Sequence, residues 1–385
     1  MNQKNTENII PNVDSKEKEE RNVPDLRYIS ECKLKDICFP ITYGLAASAI
    51  PFDGIHKYIR ITDIDENTGE YLTDSLVSPA YFSNEYKVVN NDILFARTGA
   101  SVGKTYIHTD IDNTYFAGFL MRIRLLDHNP YYIYQQFKTK HFKKWLAIMS
   151  MRSGQPGINS AELGNYTIKI SSRKLEDKIA EIFIAIDNRI ITQKKIIEDL
   201  KKLKKSINHK IFKKNIDKTR TVKLSELCEI TTGKLDANAM VLNGKYRFYT
   251  CAEKYYFIDT YAFDTEALLI SGNGANVGYV HYYKGKFNAY QRTYVLFNFK
   301  CNPAILKIYL DCFLPKRIES TKHGGNTPYI KLETISNFTI NILDIATQNK
   351  IINFNSKINQ KINNEEKILK LYQMQKDYLL EHMFI

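Results

Sequence analysis

The sequence predicts an α+β protein in which two homologous globular domains of mixed helix and strand alternate with two long helices. The helices are expected to pair as an antiparallel coiled coil, making the chain pseudo-two-fold symmetric. Three observations predict this: the chain repeats itself, each copy ends in a stretch without Gly or Pro, and that stretch carries a narrow apolar stripe.

The repeat is read first, because self-similarity changes how every other segment is interpreted. Gln155-Pro156-Gly157-Ile158 through Asn165-Tyr166-Thr167-Ile168 matches Thr327-Pro328-Tyr329-Ile330 through Asn337-Phe338-Thr339-Ile340 at an offset of 172, without a gap. The same offset runs on from Lys178-Ile179 over Lys350-Ile351 to Phe212 over Phe384. Upstream the copies drift: Gly99-Ala100-Ser101-Val102-Gly103 matches Gly274-Ala275-Asn276-Val277-Gly278 at 175, and Lys33-Leu34 matches Lys223-Leu224 at 190. Insertions therefore cluster early in the first copy, where loops tolerate them.

Taken in order, residues 1–32 read as a polar tail rich in Asn, Lys and Glu, and 33–172 as the first globular domain. A central helix over 173–215, a linker over 216–221, the second globular domain over 222–343 and a distal helix over 344–385 complete the chain. The domains earn their assignment from aromatic and β-branched residues between Gly or Asn turns, with short runs such as Asp92-Ile93-Leu94-Phe95 and Ala267-Leu268-Leu269-Ile270. The helices earn theirs from the missing Gly and Pro and from apolar residues stepping by three and four. In the central helix these are Leu175, Ile179, Ile182, Ile186, Ile190, Ile197, Leu200, Leu203, Ile207 and Ile211. In the distal helix they are Ile351, Phe354, Ile358, Ile362, Leu369, Tyr372, Leu379 and Met383. So long and narrow a stripe fits a helix pair better than packing on one domain alone. A helix of about 40 residues would be about 60 Å long at ~1.5 Å per residue.

Composition narrows the function. A hydrophobic share of 44% and a charged share of 25% suit a globular chain, so disorder is not expected beyond the ends. The formal charge of +13 favours a polyanionic partner, since neutralising phosphates releases counterions. The six cysteines form no CxxC pair and the eight histidines no HxH or HExxH spacing, so neither a metal site nor a disulfide framework is expected. With no apolar run long enough to span a bilayer and no apolar core in its N-terminal stretch, the chain is expected to be cytoplasmic, with no membrane partner.

Two segments imitate catalytic motifs. Thr98-Gly99-Ala100-Ser101-Val102-Gly103-Lys104-Thr105 has three residues between its glycines where a phosphate-binding P-loop needs four, and Tyr106-Ile107-His108 after it reads as a strand, not a helix. Asn129-Pro130-Tyr131-Tyr132 resembles the Asn-Pro-Pro-Tyr/Phe tetrad of amino methyltransferases but lacks the second Pro. Its repeat partner is Asn302-Pro303-Ala304-Ile305, and an Asn cap followed by Pro at the first helical position explains both. No catalytic residue and no cofactor is assigned to this chain.

Two globular domains alternating with two long helices in one basic chain resemble the specificity subunits of Type I restriction-modification systems. Asp92-Ile93-Leu94-Phe95-Ala96-Arg97-Thr98-Gly99-Ala100-Ser101-Val102-Gly103-Lys104 looks like the strand and turn of that family's target recognition domains, and Ala289-Tyr290-Gln291-Arg292-Thr293-Tyr294-Val295-Leu296 like its next strand. The Gly-rich turns Ser153-Gly154-Gln155-Pro156-Gly157-Ile158 and Gly324-Gly325-Asn326-Thr327-Pro328-Tyr329-Ile330 also match, so the resemblance covers residues 33–385. The first copy departs in carrying Ala117-Gly118-Phe119 where the second has Tyr290-Gln291-Arg292, which weakens that segment as a base reader in copy one.

The resemblance implies that each target recognition domain reads one half of a bipartite, asymmetric site on double-stranded DNA. It implies a helix pair that serves as ruler and as docking surface for two modification subunits. Those subunits would bind S-adenosylmethionine and methylate adenine, and two restriction subunits, where the system has them, would use ATP and Mg. Arg suits guanine and Asn or Gln adenine, while basic groups suit phosphate. The candidates are Arg97, Ser101, Lys104, Arg152, Ser153 and Gln155 in the first copy, and Asn273, Asn276, Gln291, Arg292, Lys322, His323 and Asn326 in the second. Two other readings remain: a stand-alone DNA methyltransferase, and a coiled-coil scaffold whose domains bind protein.

Overall fold

The computed structural model describes residues 29–65, 68–151, 155–214, 220–321 and 328–384. Most of the tail assigned to 1–32 and of the linker assigned to 216–221 lies outside them. The chain forms two compact units, Met1–Ile190 with Tyr372–Ile385, and Ile191–Leu371.

In the first unit, strand Ser30–Lys33 pairs antiparallel with Thr167–Ile170, bringing the two ends of the domain together. Between them lies a four-stranded antiparallel sheet in the order Thr42–Tyr43, Leu120–Ile123, Ile93–Ala96, Thr105–Ile107. Ile93–Ala96 is buried throughout because both of its faces are covered. Alternate side chains point to opposite faces of a strand, so Ile93 and Phe95 enter the main core while Leu94 and Ala96 enter a second cluster with Ile59, Val88 and Phe116. Helix Pro130–Gln136 starts where Asn129 caps it: Asn129 Oδ1 accepts from the backbone N–H of Tyr131 and Tyr132, with Pro130 at the first turn. The Asn-Pro pair is thus a helix start, as its spacing predicts.

The second unit repeats this plan. Arg220–Lys223 pairs antiparallel with Thr339–Ile342. A six-stranded sheet runs Glu229–Thr232, Thr293–Phe297, Phe263–Ser271, Val280–Ala289, Tyr246–Tyr249, Tyr256–Ile258. Its first four strands match the sheet of the first unit. Leu268 and Ile270 face one core and Ala267 and Leu269 the other. The ten-residue strand Val280–Ala289 is long enough to add a parallel partner, Tyr246–Tyr249. The corresponding parallel pair of the first unit, His56–Ile59 with Asn113–Phe116, forms a sheet of its own. Asn302 Oδ1 again accepts from the N–H of Ala304 at the start of helix Pro303–Thr321.

The central helix spans Arg173–Lys214 and the distal helix Ile345–His382, and each contributes to both units. Within the second unit the pairing is antiparallel: Gln193 meets Glu365, Lys204 meets Asn359 and Asn208 meets Asn355. Ile197, Ile358 and Ile362 are buried together there, with Leu200, Phe354 and Leu369 packed against them. Ile351 joins the core of the second domain, and Ile207 is half-buried. Within the first unit the rings of Phe183 and Phe384 stack at 5.7 Å, Lys376 reaches Asp187, and the Arg189 guanidinium lies over the Tyr372 ring. Ile179 and Ile186 are buried in that unit's core, with Ile190 and Leu379 packed against it.

Two assignments to the stripe are corrected. Ile182 is 45% exposed, and the neighbouring Phe183, at 0%, takes the buried position. Further along, Leu203 is 49% exposed while Lys204 sits half-buried in the seam. Periodicity alone cannot separate these neighbours, because the helix carries apolar residues on its outer face as well; Ile184, Ile191 and Ile196 are also exposed.

The seam also contains a charged cluster. Asp187 accepts from Lys376 Nζ (2.5 Å), Tyr131 Oη (2.7 Å) and Gln135 Nε2 (3.0 Å). Burial pushes its carboxyl up, and Lys376 and Lys138 more than offset this, leaving it below the ordinary carboxylate range. Burial pushes the Lys138 ammonium, which lies over the Tyr134 ring, down to about 8. Burial and the like charge of Lys138 also lower Lys376. A lysine with a lowered folded-state pKa binds fewer protons folded than unfolded above that pKa, so stability rises with pH there. The first unit is therefore expected to gain stability between about pH 8 and about pH 10, where unfolded tyrosine and lysine begin to titrate. Urea midpoints read by fluorescence of Trp145, the chain's single tryptophan, should shift upward across that window. They should shift less in Lys138→Met.

Candidate nucleic-acid interface

Three loops meet at one edge of each domain, and the main chain ties them together in the same way twice. Strand Ile93–Ala96 ends in a tight turn in which Gly99 (φ 71°) and Gly103 (φ 90°) adopt backbone angles open to glycine, and Gly103 N–H donates to Ala96 O at 2.9 Å. In the second unit Gly274 (φ 81°) and Gly278 (φ 87°) do the same, with Gly278 N–H donating to Ser271 O at 2.8 Å. Thr105–Ile107 follows as a strand, so no helix N-terminus stands after this turn to hold a phosphate.

The second loop crosses the first. Gly99 N–H donates to Pro156 O and Ile158 N–H to Arg97 O; Gly274 N–H donates to Pro328 O and Ile330 N–H to Gly272 O. The third loop lies beside both. Arg97 N–H donates to Phe119 O (3.1 Å), and Gly272 N–H donates to Arg292 O (2.9 Å). These pairs fix the structural correspondence residue by residue, placing Arg97 with Gly272, Gly118 with Gln291 and Phe119 with Arg292.

The side chains on this shared frame differ. In the first unit the Arg97 guanidinium lies 4.7 Å from the centre of the Tyr43 ring, and its Nε donates to Gly118 O at 3.2 Å. Tyr43 is held in turn by its hydroxyl, which accepts from Ser160 N–H at 3.0 Å. Gln155 is exposed, with its amide against Gly99, where an added Cβ would come within 2.7 Å of Nε2. Ser101 and Lys104 are half-buried on the turn. In the second unit Asn276 Nδ2 donates to Cys251 O at 3.4 Å, Gln291 Nε2 donates to Asp236 Oδ1 at 3.2 Å, and Arg292 is exposed. Asn273 is half-buried and bridges to Tyr329.

The structure therefore brings together Arg97, Ser101, Lys104 and Gln155 in one unit, and Asn273, Asn276, Gln291 and Arg292 in the other. Arg152, Ser153, Lys322, His323 and Asn326 lie outside the described residues. Sequence reasoning missed Tyr43 and discounted Phe119. An aromatic residue directly before Gly44, at the end of strand Thr42–Tyr43, and another directly after Gly118, on a turn, were the available signal.

A cationic fork, side-chain amides and aromatic rings along one edge can meet base edges by hydrogen bonding and methyl contact. Among the described residues no group of three or more His, Cys, Asp or Glu is placed to hold a metal ion, and no helix is long and apolar enough to cross a membrane.

Fold and edge together define a tandem module: one α+β unit built twice, with matching main chain and divergent loop side chains. The chain belongs to the Type I restriction modification DNA specificity domain family, whose model matches it twice, over residues 30–202 and 216–371. Among curated proteins it is 42% identical over 125 residues to the Type I restriction enzyme EcoDI specificity subunit of Escherichia coli, covering 31% of this chain and 27% of that protein. It is 31% identical over 210 residues to the putative type I restriction enzyme MjaX specificity subunit of Methanocaldococcus jannaschii, covering 51% and 48%. The matched regions thus span from about a quarter to about half of these relatives' length. Among solved structures, the S subunit of a Type I restriction-modification system from M. genitalium shares the fold at a TM-score of 0.58 and 16% identity, over 93% of this chain and 96% of that one. A chain from a study of assembly and conformational transition of the type I R-M system gives 0.57 at 14% identity, over 92% and 97%.

Proposed function

We propose that this protein is the DNA-reading subunit of a Type I restriction-modification complex and that its partners carry the catalysis. Each recognition domain reads one half of a bipartite, asymmetric site. The long helices set the spacing and offer the surface on which two modification subunits dock, with restriction subunits joining where the system has them. S-adenosylmethionine, ATP and Mg belong to those partners.

The carrying observation is the loop edge itself. Its backbone is built to one pattern in both units, while Arg97 and Phe119 stand in one where Gly272 and Arg292 stand in the other. A conserved frame with divergent side chains is what reading two different words requires. The net charge of +13 supplies the sequence-independent part of the affinity.

The test is to express the chain with its modification subunits and map methylated adenines in the host DNA. A two-part motif with a fixed gap is expected, and a contiguous motif or none would overturn the reading. Binding of the purified complex to a duplex bearing that motif should also weaken as salt is raised, with a log–log slope of about −0.9 per phosphate contacted. The purified chain alone should transfer no methyl group; transfer would favour the stand-alone methyltransferase.

A further inference from the structure

Phe119 is a large apolar side chain left 62% exposed at the tip of the turn between strands Asn113–Phe116 and Leu120–Ile123. Its backbone is held from three sides. Leu120 N–H donates to Ala117 O (2.8 Å), Gly118 N–H donates to Leu45 O (2.9 Å), and Phe119 O accepts from Arg97 N–H (3.1 Å). The ring is therefore presented on a fixed turn, beside a guanidinium that is itself pinned. Ring stacking on Tyr43 and the Nε bond to Gly118 O position Arg97, while its two terminal nitrogens have no partner among the described residues. The same rung of the second unit carries no ring: Gly272 takes the place of Arg97, and Arg292, exposed, takes the place of Phe119.

We propose that Phe119 is a specificity-determining residue of the first domain, making apolar contact with the 5-methyl group of a thymine next to the base read by Arg97. An exposed ring has no hydrogen bond to offer a base edge, and in the major groove the thymine methyl is the apolar feature to be read. On this account the second domain places its guanidinium at Arg292 and makes no methyl contact at this rung. The inference rests on the DNA-reading function proposed above, and it reverses the expectation that the Ala117-Gly118-Phe119 segment is a weaker base reader than its counterpart.

The test uses the full chain in complex with its modification subunits. Duplexes carrying the methylated motif are prepared with each thymine replaced in turn by uracil, which differs from it only in lacking the methyl. The wild-type complex should lose about fourfold in affinity at one thymine of one half-site, the loss corresponding to roughly one buried methyl group. Phe119→Ala should bind thymine and uracil equally at that position and leave the other half-site unchanged, while Phe119→Leu keeps part of the discrimination. Arg292→Ala should relax a position in the opposite half-site. Because the ring is exposed, both Phe119 variants should melt with the wild type, and a variant that unfolds would itself contradict the placement.

A motif without thymine in the affected half-site would overturn the proposal. So would thymine–uracil discrimination that survives Phe119→Ala, or a variant that loses its modification subunits while keeping every base preference. If the wild-type complex yields no two-part motif at all, the DNA-reading function fails, and this proposal fails with it.

Discussion

Asp187→Ala is expected to destabilise the first unit by about 3 kcal/mol, near the low end for removing one partner of a buried ion pair. The carboxylate is shared among Lys376, Tyr131 and Gln135, with Lys138 close by, and the side chains of Asp187 and Lys376 are only 17% and 14% exposed. Its loss leaves two ammonium groups in a place that excludes most water, with a phenol and an amide to satisfy as well. Trp145 packs 4.6 Å from the Tyr166 ring inside the same unit, so its fluorescence reports the transition directly. Asp187→Ala combined with Lys376→Met should recover most of the loss, because the uncompensated charge is then gone. A single variant as stable as the wild type would show that solvent reaches this cluster freely. Asp187→Asn should fall between the two, since the repeat itself contains that state: Lys204 Nζ donates to Asn359 Oδ1 at 2.8 Å at the equivalent place in the second unit.

Gly233→Ala is expected to cost the second unit about 3 kcal/mol, the upper part of the range for forcing atoms into a packed site. A Cβ there would stand 1.9 Å from Ala289 O and 2.2 Å from Ala289 C, both backbone atoms that no rotamer change can move. The edge strand would have to part from the turn that carries Gln291 and Arg292. Gly274→Ala provides the contrast. Its φ of +81° disfavours a side chain, but no atom lies within 4 Å, so the cost should be about 1 kcal/mol from torsion alone. Urea unfolding followed by circular dichroism separates the two. Trp145, in the other unit, should be insensitive to either change. Methylation should become indifferent to the sequence of one half-site in Gly233→Ala while the other half-site is still required.

Much of this architecture was legible because the chain states it twice. An offset of 172 that never breaks from Gln155 to Phe212 requires two copies of one fold, and Asn129-Pro130 with Asn302-Pro303 marks the same helix start in each. The glycine turns were legible for a local reason: Gly99, Gly103, Gly274 and Gly278 all take positive φ. What escaped the sequence depends on partners far along the chain. Ile182 and Phe183 are equally apolar neighbours, and only the fold shows that it is Phe183 that enters the core and stacks on Phe384. Asp187, Gln193 and Asn208 look like solvated helix residues until Lys376, Glu365 and Asn355 are set against them. Phe119 was discounted because its segment lacks the polar groups of Tyr290-Gln291-Arg292, and its exposure is visible only in the fold.

The amide pair has a further consequence. Asn208 and Asn355 donate to one another at 2.9 and 2.8 Å, while their counterparts 172 residues away, Leu380 and Phe183, belong to the apolar core of the first unit. Were two first halves to zip together in the same antiparallel register, each would drive the carboxamide of Asn208 into the benzyl ring of Phe183 and strand its hydrogens without an acceptor. Duplication has thus left behind complementary halves instead of interchangeable ones: a first half recognises a second half more readily than it recognises its own twin.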